Sequence, residues 1–163
     1  MARALESGNV LEERAMKVVD IMTPNPCCVT PDQPLLAAAM LMRDHDVGMI
    51  PVVDDRSSRY PVGVITDRDI AIRHVAAAHH HDCPCGDAMT KTDLATVAPT
   101  DDVREVLQRM RQFAVRRVLV TEPRGRLVGV VAAADVLRHA DLIGEHAVAD
   151  ALETISEPAM MQR

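Results

Sequence analysis

The sequence predicts an α+β fold: two tandem β-α-β-β-α units packed with pseudo-twofold symmetry, flanked by an N-terminal and a C-terminal helix. Three observations predict it: an internal repeat, an amphipathic helical stripe in each copy, and paired apolar runs joined by turn residues. In the repeat, Asp20-Ile21-Met22-Thr23 returns as Asp87-Ala88-Met89-Thr90, 67 residues on. Val29, Pro31, Met42, Val47 and Val52 return as Val97, Pro99, Met110, Val115 and Val120, 68 residues on. Val62-Gly63-Val64 and Asp69 return as Val128-Gly129-Val130 and Asp135, 66 residues on. Matches kept in order over this length place one supersecondary unit in the chain twice.

The elements follow in order. Residues 1–17 form a leading segment, with a helix expected over Asn9 to Val19. The first repeat occupies 18–78, a His- and Cys-containing linker 79–86, the second repeat 87–140, and a C-terminal helix (Asp141 to Ile155) with its tail 141–163. Each repeat opens with a short β segment (Cys28 to Thr30; Thr96 to Ala98) ending at a proline. In the second copy Val103, Val106, Leu107 and Met110 stand at i, i+3, i+4 and i+7, one apolar stripe of a helix. Leu35, Ala38, Ala39 and Met42 are their first-copy counterparts. Asp102 with Glu105 reads as a capping box opening the second of these helices. Two β runs then form a hairpin in each copy, Met49 to Val53 with Val62 to Ile65, and Val118 to Thr121 with Leu127 to Val131. Further helices start near Asp67 and Ala133. One copy alone buries little surface, so the two are expected face to face.

Composition narrows the function. Of 163 residues, 48% are hydrophobic and 26% charged, the balance of a soluble globular chain. A net charge of −6, with one Tyr, one Phe and no Trp, argues against nucleic acid, which asks for basic faces and stacking platforms. No apolar run is long enough to cross a bilayer, and Met1 to Glu6 lacks a signal peptide's apolar stretch. A cytoplasmic protein is expected, with Cys27, Cys28, Cys83 and Cys85 as thiols or metal ligands. No nucleophile–base pair, P-loop or metal-hydrolase motif stands out, so no enzyme is expected. Met22, Met40, Met42, Met89 and Met110 read as core filler.

The tandem unit, opened by D-x-M-T and closed in its first copy by Gly63-Val64-Ile65-Thr66-Asp67-Arg68-Asp69, resembles the CBS domain pair, or Bateman module. Asp46 to Val53 carries the likeness too, as do the second-copy segments Asp87 to Thr90, Val115 to Val120 and Gly129 to Asp135. The stand-alone format and Glu145-His146-Ala147 are similar to small bacterial pairs of the hypoxic response protein type. The resemblance implies a non-enzymatic ligand sensor. It implies an adenosine nucleotide (AMP, ADP or ATP) between the repeats, a homodimer, a separate effector protein and no required cofactor.

The resemblance assigns Thr66 and Asp69 to the ribose. Arg68 and Arg73 stand near in sequence for phosphate, and Arg116 and Arg117 are candidates for phosphate across the cleft or for salt bridges. Thr66-x-x-Asp69 is equally a capping box needing no ligand. The second copy keeps Asp135 but places Ala132 where the hydroxyl belongs, which removes the ribose contact and the N-cap there. One working cleft is therefore expected, at Thr66. Gly48 and Gly63 are read as allowing close backbone approach. In the linker, His79, His81, Cys83 and Cys85 are candidate zinc ligands, with Cys27 or Cys28 completing the set. A redox pair and a solvated His-rich linker are the alternatives.

Overall fold

The computed structural model describes residues 16–80, 82–144, 148–149 and 153. In chain order it forms α1 (Val18–Ile21), β1 (Thr23–Pro24), α2 (Leu35–His45), β2 (Met49–Val53), β3 (Pro61–Thr66) and α3 (Asp67–Asp69). The last runs on as a π-helical segment, Ile70–Val75. The second repeat supplies α4 (Cys85–Ala88), β4 (Thr96–Val97), α5 (Val103–Phe113), β5 (Arg117–Thr121), β6 (Leu127–Ala132), α6 (Ala133–Leu137) and α7 (Ala140–Ile143). Most of the expected leading helix, and Glu145 to Ala147, lie outside the described residues.

One sheet has the order β1-β6-β5-β4 and the other pairs β2 with β3. The two are versions of one design. β1 belongs to the first repeat yet pairs with β6 of the second, Thr23 opposite Val130. Reciprocally, Thr90 of the second repeat bridges Val64 of β3, with N–H donation in both directions at 3.0 and 2.8 Å. The reciprocity continues upstream. Val103 N–H donates to Met16 O, and Leu35 N–H to Cys83 O. Val18 donates to Asp101 O, and Cys85 to Gln33 O. Each repeat thus lends its opening arm to the other.

Two glycines make the exchange fit. A Cβ on Gly63 would stand 2.7 Å from Met89 Sδ and 2.9 Å from Thr90 O; on Gly129 it would stand 2.6 Å from Met22 Sδ. Gly63 meets its expectation, and Gly129 is its unforeseen twin.

The expected strand Cys28 to Thr30 shrinks to one parallel bridge, Val29 with Val52. Val29 N–H donates to Pro51 O and Val53 N–H to Val29 O. The next donors in either direction are at positions 51 and 31, both prolines, so the ladder stops. In the second copy Leu119 stands where Pro51 does, and its N–H reaches Ala95 O at 2.9 Å, allowing β4 to form.

The apolar stripes bury as expected: Val103, Val106, Leu107 and Met110 in one core, Leu35, Ala38 and Met42 in the other, with Ala39 half-buried. Asp102 caps α5 through Arg104 N–H, but the box does not close, because Glu105 turns to Arg109 at 3.1 Å. Met40 is exposed rather than core. A third apolar cluster, Met49, Val53, Leu119 and Leu127, seals the seam between the repeats. β2 is buried along its length because Ile50 and Val52 face its own core while Met49 and Val53 face this seam. Among the described residues, no helix is long and apolar enough to cross a membrane.

Candidate functional site

A cleft of about 370 Å³ opens where the exchanged arm of the first repeat meets β6 of the second. Its size is that of a small-molecule site, roughly 300–1,000 Å³. Thr23 to Cys27, His45, Val47 and Met49 to Pro51 form one wall; Arg117, Val130, Ala132 and Asp135 form the other. Most of the lining is apolar, with polar groups at a few points.

Strand register positions those groups. Arg117 begins β5 and lies directly opposite Ala132 at the end of β6. The matching pair in the first repeat is Met49 opposite Thr66. The second copy therefore lacks the hydroxyl but carries a guanidinium across the ladder. Gly48 leaves room nearby: a Cβ there would stand 3.0 Å from Asp67 Oδ2 and 3.1 Å from Arg117 Nη2.

Asp135 folds back so that its Oδ2 accepts from Ala132 N–H at 2.8 Å, while Oδ1 accepts from Arg138 at 2.6 Å. Half of the cap that Ala132 was expected to abolish therefore survives through the carboxylate. Cys27 Sγ lies 3.1 Å from His45 Nε2 at the cleft wall. Its neighbour Cys28 packs instead against the seam cluster, as opposite faces of an extended segment require.

Thr66 and Asp69 do not line this cleft. They close a full capping box: Asp69 N–H donates to Thr66 Oγ1 at 3.1 Å, and Asp69 Oδ2 accepts from Thr66 N–H and Oγ1 at 2.9 and 2.7 Å. Arg73 sits 3.4 Å from the other carboxylate oxygen and donates to Ala88 O and Thr90 Oγ1, clasping the second repeat's arm. The side chains of Arg68 and Arg116 are exposed and off the cleft wall.

In the linker, His79 and Cys83 come together with His74, which the sequence reading did not single out. Cys85 is not brought to them. It is fully buried in the first repeat's core, and burial, followed by the charges of Cys83 and Asp32, pushes its thiol up to about 11. Burial and the Asp87 carboxylate also raise Cys83. His81 lies outside the described residues. All four cysteines are free thiols.

The comparisons agree with the architecture. The profile of the CBS domain matches residues 18–74 and 85–141. Hypoxic response protein 1 of Mycobacterium tuberculosis is 34% identical over 139 residues, 85% of this chain and 93% of that protein. A crystal structure of Hypoxic Response Protein I with two coordinated zinc ions superposes at TM-score 0.67 with 35% identity, covering 76% of this chain and 98% of that one. A CBS domain protein of Pyrobaculum aerophilum complexed with AMP gives TM-score 0.72 at 25% identity, covering 81% and 98%. The chain belongs to the CBS domain family, as a tandem pair.

Proposed function

We propose that this protein is a non-enzymatic regulatory module that takes an adenosine nucleotide of the AMP, ADP or ATP class into the cleft beside Asp135. It passes its state to a separate effector protein. The observation that carries the reading is the cleft of about 370 Å³ whose walls come from both repeats and bear Asp135 and Arg117. The AMP complex of the Pyrobaculum relative supports the ligand class.

Arg138, the present partner of Asp135 Oδ1, is 69% exposed, so their pairing holds little free energy. The ribose hydroxyls replace it as donors to the carboxylate. Arg117 pairs with phosphate, and Val47, Met49 and Val130 cover the base. A ligand touching both repeats shifts their arrangement by as much as its affinities for the two arrangements differ. A cytoplasmic homodimer is the acting form in this reading.

Titration calorimetry of the full chain with AMP, ADP and ATP tests it. The wild type binds at least one of them, and Asp135→Ala weakens binding about 10- to 100-fold, the cost of losing charged hydrogen bonds. Asp69→Ala removes the first-copy cap and the Arg73 ion pair and leaves affinity in place. Silence from the wild type at millimolar nucleotide would sink the sensor reading and leave an interaction module with a vestigial cleft.

A further inference from the structure

The linker carries a constellation that the nucleotide cleft does not use. His74, His79 and Cys83 each offer one ligand atom, and the three atoms lie within 4.8 Å of one another. The fold brings them there by a specific route. The π-helical segment Ile70–Val75 ends in wide-turn hydrogen bonds, Ala76 N–H to Ala71 O and His79 N–H to His74 O. Ala78 then takes a left-handed conformation, φ 53°, and reverses the chain. Cys83 N–H closes the loop on His80 O at 3.2 Å. Such π-helical turns gather at functional sites.

A second observation points to a missing partner. Among the described residues, His74 Nδ1 is buried and without a hydrogen-bond partner. Nearly every buried polar atom is paired, so an orphaned nitrogen on an imidazole that lies beside another imidazole and a thiol calls for an electrophile. The two rings meet edge-on with centroids 6.1 Å apart.

We propose that His74, His79 and Cys83 form a zinc site. Two imidazole nitrogens and one thiolate suit zinc and exclude magnesium and calcium, which take oxygen. Ligand atoms around a tetrahedral zinc stand about 3.3–3.8 Å apart, given bonds of about 2.0–2.3 Å. Three atoms already within 4.8 Å of one another stand close to that spacing. His79 and Cys83 also line an adjoining cleft of about 470 Å³ with Asp82 and Asp87, from which a carboxylate or water can complete the shell.

The metal's place in the fold gives it a role. His74 belongs to the first repeat's last turn, while the carbonyl of Cys83 receives Leu35 N–H at 2.8 Å, the first bond of the exchanged arm. Zinc therefore staples the exit of one repeat to the arm that the next lends back.

The test uses the full chain without an affinity tag, stripped by chelator and titrated with zinc against a chromophoric competitor. One equivalent binds, and Cys83→Ser and His79→Ala each weaken it at least about tenfold. Cobalt as a spectroscopic probe gives a thiolate charge-transfer band that Cys83→Ser abolishes and Cys27→Ser keeps. His79 is exposed, so His79→Ala carries the test should the Cys83 variant unfold. A wild type that takes no zinc, or an affinity indifferent to both substitutions, overturns the site. Neither outcome depends on nucleotide.

Discussion

At the scale of the residue, the second helix of each repeat ends with the same left-handed turn but with unequal fitness for it. Asp46 closes α2 at φ 52°, a conformation that Asp tolerates. Ala114 closes α5 at φ 50° and has no such excuse, though its N–H and that of Val115 still cap the carbonyls of Arg111 and Met110. Glycine has no Cβ to strain there. Ala114→Gly is expected to stabilise the protein by about 0.5–1 kcal/mol, read as a rise of about 2–4 °C in melting temperature. A fall would mean that the Ala114 methyl makes packing worth more than the strain.

At the scale of the element, the exchanged arms decide what the sheets tolerate. Gly63 faces both the mobile thioether of Met89 and the fixed carbonyl of Thr90. Gly63→Ala is expected to cost about 1–3 kcal/mol, because a side chain can rotate away but the backbone of the paired arm cannot. A urea midpoint unchanged from wild type would show the arm to be loosely held. This exchange marks the limit of what the sequence discloses. Periodicity made the stripe Val103 to Met110 legible, and turn residues announced both hairpins, since these patterns are local. The duplicated Asp-x-Met-Thr was visible, but nothing local says that Thr23 pairs across to Val130 rather than within its own copy. The same blindness hid the cleft beside Asp135. Arg117 was singled out for phosphate, but that it stands directly opposite Ala132 is apparent only once the β5–β6 register is known. His74 escaped notice because its meeting with His79 depends on a π-helical turn that apolar spacing does not encode.

At the scale of the whole molecule, two cores and a sealing cluster are laced together by the reciprocal arms. Neither repeat has a complete sheet without the other. Calorimetry is therefore expected to give one transition, with equal van't Hoff and calorimetric enthalpies. Two separable peaks would contradict the interdependence. The cleft at Asp135 and the zinc cluster at Cys83 both draw residues from the boundary between the repeats, so whatever fills them acts on the lacing itself.

That lacing also sets an order of events at the ribosome. Thr23 leaves the tunnel well before the strand that receives it, which holds Val130. Until Thr90 emerges, the edge of β3 that it bridges stands open, a hazard for a nascent chain. Loop closure between residues as distant as Thr23 and Val130 gives high contact order and slows folding.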